Sequence, residues 1–205
     1  MILLSREDLI KTLSVILSFG YESKFFSKVV EKRIAKSPYF IAVEADNDET
    51  ILYSDVQKTL ASIFYDADTS KYKYNLYAWC VWVSELYLII QEKTKMTFEA
   101  IFMYLSLDDG LKIFPVYHEM DFSQAVALFE ERLKKHSVLY HAMKRRGISV
   151  SELAKVSGLS YSMISALRNR KKNIGRVAAD NFLKIATYLG TRPETLLCDM
   201  SCLLF

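Results

Sequence analysis

ISVSELAKVSGLSYSMISALRNRKK, residues 148–172 of a 205-residue chain, decides how the rest is read. It scans as two short helices around a tight corner, followed by a cluster of bases. Ser149 and Glu152 have the spacing of a capping box, in which a hydroxyl and a carboxylate satisfy first-turn N–H groups reciprocally. Leu153, Ala154 and Val156 are expected on one side of the first helix. Gly158 supplies the positive φ of the corner. Ser160 caps a second helix from Tyr161 to about Asn169, held inward by Ile164 and Leu167. Small Ala154 lets the helices cross closely. Tyr161, Ser162, Ser165, Ala166 and Asn169 are left facing outward, with Arg168, Arg170, Lys171 and Lys172 around and after them. Short polar side chains on a helix held clear of its own core, with bases beyond, suit insertion into a DNA major groove.

The pattern continues on both sides. Val138, Leu139, Ala142 and Met143 mark a preceding amphipathic helix that ends in Lys144-Arg145-Arg146 and Gly147. Downstream, Val177, Phe182, Ile185, Ala186 and Leu189 mark a fourth helix closed by Gly190. TRPETLL, with Thr191 near the cap and Pro193 in the first turn, opens a fifth. Five short helices in this order resemble the Cro/C1-type, lambda repressor-like helix-turn-helix family over residues 137–198. The resemblance implies a five-helix DNA-binding domain and a repressor-type protein that pairs as a homodimer on a two-fold symmetric operator of double-stranded DNA. Tyr161, Ser162, Ser165 and Ala166 are the expected base readers. Ser160, Arg168, Asn169, Arg170, Lys171 and Lys172 are the expected phosphate contacts. Val150 stands where the family often has a phosphate-touching Gln. Arg168 and Arg170 stand where it often has Glu and Gly, and both add positive charge. If about four bases per subunit neutralise phosphates, the log–log salt slope of a dimer approaches about −7.

Charge separates the chain in the same place. Residues 137–205 carry 11 Lys and Arg against 4 Asp and Glu, whereas residues 1–136 carry 16 against 20, so a net +3 conceals a basic third and an acidic remainder. One domain that meets phosphate and one that does not would give this asymmetry. Of the 27 aromatic residues, 22 precede residue 137, so the first region has ample material for its own core. With 6 Gly and 3 Pro and 51% hydrophobic residues, the whole chain reads as all-α. No Gly- or Pro-rich linker separates the two regions, so a helix is expected to run into the boundary at His136-Ser137.

About seven helices are expected before residue 137. Ser5 and Asp8 cap the first, which Gly20 should stop. A second runs from Tyr21 to about Lys36 and has a basic face of Lys24, Lys28, Lys32 and Arg33, read as an ordinary solvated face rather than an anion site. Ser37-Pro38 opens Tyr39–Ala45, preferred as helix; the alternating FIAVEA could instead pair as a hairpin with residues 50–53. Ser54 and Gln57 form another capping box before Val56, Leu60, Ile63 and Phe64. LYAWCVWVSELYLII, residues 76–90, is too short and too interrupted by Glu85 to span a bilayer, and is expected as the buried central helix. Glu85 and Glu92 then share a narrow exposed stripe; a pocket carboxylate at Glu85 is the minority reading. Thr97 caps the next helix, LKIF is a short piece broken by Pro115, and Asp121 caps the last.

Catalytic patterns do not emerge. The three His, the acidic pairs Asp108-Asp109 and Glu130-Glu131, and Cys198-x-x-x-Cys202 complete no constellation or zinc site, and no phosphate-cradling Gly-rich loop occurs. No enzyme, metal or cofactor is expected. Three cysteines form no disulfide framework and MILLSREDLIKTL lacks signal-peptide order, so a reduced cytoplasmic setting without membrane insertion is expected. For residues 1–136 the open roles are dimerisation (shared with the fifth helix and the apolar tail 199–205), a toxin partner if the chain is an antitoxin, or a small-molecule effector.

Overall fold

A computed structural model describes residues 5–25, 27–45, 55–70, 72–73 and 75–201, with side chains to Cys198. Among these residues the chain is all-α, without a strand. The helices are α1 Arg6–Glu22, α2 Ser27–Lys36, α3 Pro38–Glu44, α4 Val56–Ile63, α5 Ala78–Thr94, α6 Phe98–Tyr104, α7 Leu107–Tyr117 and α8 Phe122–Lys135. There follow α9 Val138–Arg146, α10 Val150–Ser157, α11 Tyr161–Arg168, a 3₁₀ turn Ile174–Arg176, α12 Ala179–Leu189 and α13 Pro193–Ser201. None of the described helices is long and apolar enough to cross a membrane.

Helix α5 is the axis of the first region, as its apolar run predicts. Leu86, Tyr87 and Ile90 are wholly buried, and α1, α6, α7 and α8 pack around them. The Tyr87 hydroxyl donates to the Leu105 carbonyl at 3.1 Å, so its one polar atom is satisfied inside the core. Glu85 is no pocket carboxylate. It is partly exposed and lies 3.9 Å from Arg6, which also meets Glu92 at 3.4 Å, so the exposed stripe holds an ion-pair cluster.

Several boundaries differ from the sequence reading. Gly20 does not stop α1, which continues to Glu22. Gly20 instead allows close approach of α2, since a Cβ there would sit 2.9 Å from Val30 Cγ2. The turn comes at Lys24, with φ 57°, so the second helix starts at Ser27. α4 is capped by Asp55, whose carboxylate accepts from the Lys58 N–H at 2.8 Å, while Gln57 donates to the Thr69 carbonyl. Ser54 and the alternative hairpin partner at 50–53 lie outside the described residues. LKIF belongs to a full helix, α7, which brings the described helices before residue 137 to eight; Ser106 and Asp109 open it with a full capping box, and it passes through Pro115 for one last turn. The proline ring fixes a helical φ and removes one backbone donor near the end, where little ladder remains to be lost. No helix crosses the His136-Ser137 boundary: His136 is extended and Ser137 caps α9, its hydroxyl accepting from the Tyr140 N–H at 2.9 Å.

A single apolar core nonetheless continues across that joint, from Phe98 and Phe102 of α6 into Leu139, Ala142 and Leu196 of α9 and α13. Three acids of the first region are spent there. Glu31 accepts from the Leu107 N–H at 2.8 Å and pairs with Arg145. Glu44 accepts from the Phe98 N–H at 2.6 Å and pairs with Arg192, also at 2.6 Å. Each carboxylate therefore meets the N-terminus of one helix and an arginine from the other side of the joint, two favourable electrostatic partners. Glu99 receives the Arg192 N–H at 3.2 Å and the Thr195 hydroxyl at 2.9 Å. Burial still holds Glu31 and Glu44 above the usual carboxylate range, against the lowering effect of their arginines. Part of the charge asymmetry is thus an internal clasp.

Candidate nucleic-acid interface

The corner of residues 148–160 forms as its local chemistry dictates. The Ser149 hydroxyl accepts from the Glu152 N–H at 3.1 Å, Gly158 takes φ 73°, and the Ser160 hydroxyl accepts from the Met163 N–H at 3.2 Å. The box at Ser149 is only half made, because Glu152 turns away to accept from the Tyr188 hydroxyl at 2.5 Å. This ties α10 to α12. The buried face of α10 is Val150, Leu153, Ala154 and Ser157, an i, i+3, i+4, i+7 pattern. Val156 falls outside that stripe and is exposed, contrary to the expectation that it faced inward.

Helix α11 is anchored by Ile164 and Leu167, both buried. Tyr161 is 60% exposed, Ser162 and Asn169 are exposed, and Ser165 and Ala166 are half-buried on the same outer arc. Ser160 belongs to this edge as well, its hydroxyl 3.0 Å from that of Ser162. The C-terminal end is fixed from behind, where the buried Ser137 donates to the Arg168 carbonyl at 2.6 Å. One serine therefore caps α9 and closes α11.

The six expected phosphate contacts separate into two groups. Lys171 and Lys172 are exposed, their backbone N–H groups bound to the Ala166 carbonyl at 2.8 and 3.3 Å. With Ser160 and Asn169 they line the open edge of α11. Arg168 sits one turn after Ile164, hence on the same side, and its guanidinium lies 4.9 Å over the Tyr140 ring. Arg170 turns further inward. With φ 56° it directs its guanidinium back to the first region, donating to the Leu133 carbonyl and to the Tyr104 hydroxyl at 3.0 Å. The i+4 spacing from Ile164 was a sequence signal for Arg168; nothing local announced Arg170. Arg176, exposed in the 3₁₀ turn, adds a cation beyond Lys172 that sequence reasoning passed over.

A half-turned helix pair with an anchored inner face, an open short polar outer face and adjacent free cations defines a helix-turn-helix DNA-binding protein of the transcription-regulator class. The comparison with known families agrees: residues 139–199 match the Cro/C1-type HTH DNA-binding domain, so this part of the chain is a domain of that family. Neither a curated protein nor a solved structure matches the chain.

Proposed function

We propose that the chain is a sequence-specific transcriptional repressor that binds a two-fold symmetric operator as a homodimer. The observation that carries this reading is the open outer arc of α11 directly followed by the exposed Lys171-Lys172 pair. Tyr161, Ser162 and Ser165 would read base edges and Ala166 a thymine methyl. Ser160, Asn169, Lys171 and Lys172, joined by Arg176, would hold phosphates; Arg168, over the Tyr140 ring, and Arg170, engaged with Leu133 and Tyr104, are left out of that set. One helix pair covers a half-site, and two-fold pairing sets half-sites about 34 Å apart. Helix α13 already buries Thr195, Leu196 and Cys198 against its own chain, so the dimer surface proposed lies elsewhere than on its inner face.

Selection of bound duplexes from a random pool, repeated with Tyr161→Ala and Ser165→Ala, tests the assignment. A palindromic preference that each substitution relaxes at its own position supports it. An unchanged selected sequence in both variants would overturn the placement of the reading face.

A further inference from the structure

A cleft of about 280 Å³ lies where α2 meets α9 and the Gly190-Thr191 corner. Lys28, Lys32 and Lys36 line one wall, spaced four apart so that they stand one above another on α2. Arg145 and Arg146, at the end of α9, line the other. The two acids of the lining are already engaged: Glu31 with Arg145, itself part of the lining, and with the Leu107 N–H, and Glu99 with Thr195 and the Arg192 N–H. Lys28, Lys32, Lys36 and Arg146 have no ionic partner among the described residues. Arg146 brings the tip of its guanidinium against Gly190, where a Cβ would meet its Nη2 at 1.9 Å and its Cζ at 2.9 Å, so only glycine leaves the guanidinium this position at the rim. Ala35, Phe102 and Leu189 supply an apolar floor.

Four unneutralised cations converging from two parts of the fold on one concavity repel one another until an anion enters. The lysines act as mobile point charges and the arginine as a planar fork for an oxyanion. We propose that this cleft binds a small phosphorylated anion, with phosphoryl oxygens held between the α2 lysines and Arg146. No residue of 160–172 lines the cleft, and its binding is measurable without DNA.

The test is titration of the full chain with inorganic triphosphate by calorimetry, alongside thermal unfolding. The wild type should bind it, and at a ligand concentration of about 100 Kd the melting temperature should rise by about 6 °C. The triple variant Lys28→Gln/Lys32→Gln/Lys36→Gln alters only exposed side chains and should fold. It should bind triphosphate roughly tenfold or more weakly, whereas Lys11→Gln/Lys73→Gln/Lys112→Gln, with the same change in net charge, should bind as the wild type does. Equal weakening in both triples would reduce the effect to overall charge and overturn the site, as would absence of binding to the wild type. A cleft triple that keeps triphosphate affinity but loses duplex DNA affinity would assign the lysines to the DNA path and overturn the proposal equally.

Discussion

Arg170, Lys171 and Lys172 are consecutive bases, yet the fold gives them different work, and salt-dependent binding separates the two roles. In Lys171→Ala/Lys172→Ala two exposed cations are lost per subunit. Each phosphate contact contributes about 0.9 to the log–log salt slope, so the slope should flatten by about 1.8 per subunit and about 3.6 for a dimer. Stability should hardly change, since exposed substitutions usually stay within about 0.5 kcal/mol. Arg170→Ala removes a guanidinium bound to the Leu133 carbonyl and the Tyr104 hydroxyl. Hydrogen bonds from charged groups contribute about 1.5–3 kcal/mol each, and for a partly exposed group a total of about 2–3 kcal/mol is reasonable. That corresponds to a melting temperature lower by roughly 5–10 °C for a chain of this size. Arg170→Gly deletes the same side chain while accepting φ 56° without strain, and so isolates the lost bonds from the backbone term. Fluorescence anisotropy on a selected duplex between about 50 and 200 mM salt, with parallel melting curves, reads both quantities. An Arg170 variant that flattens the slope by about 1 per subunit while melting normally would refute the division.

His141 should make the protein acid-sensitive. Burial, reinforced by the nearby charges of His136, Lys144, Arg145 and Arg170, brings its pKa down to about 4. The unfolded chain protonates near pH 6.5 and the folded one does not, so this contribution is complete above that pH and is lost as pH falls towards 4. It amounts to about 2 kcal/mol by pH 5; His141→Phe should lose that much less than the wild type between pH 7 and 5 in denaturant titrations, and parallel curves would count against it. Arg192→Met strands Glu44 and Glu99 at the clasp and should cost about 3–5 kcal/mol, with Glu44→Gln in the same chain restoring part of it in a double-mutant cycle. Additive losses would mean the pair is not coupled. Leu86→Ala, at the wholly buried centre of α5, should destabilise by about 2–5 kcal/mol in urea, and a loss below about 1 kcal/mol would contradict the central position of that helix.

What the sequence determined by itself is what lies within one or two helical turns. Ser5, Thr97, Asp121, Ser149 and Ser160 cap helices because their oxygens reach N–H groups two or three residues on, and Gly158 makes the corner because its φ does not depend on distant partners. The outer arc of α11 follows from the same periodicity that buries Ile164 and Leu167. Gly20 and Pro115 read as breaks because each is an intrinsic helix breaker, and only packing shows a glycine making room for Val30 and a proline carried in a capped helix. Tertiary structure alone decided which charges serve the inside. Arg192 meets Glu44 across 148 residues, Arg145 meets Glu31 across 114, and Ser137 closes α11 across 31. Such pairings depend on how helices cross, and no local pattern encodes a crossing. Net charge therefore pointed to the right third of the chain for DNA, while the fold assigned Lys171 and Lys172 to solvent and Arg145, Arg170 and Arg192 to holding that third in place.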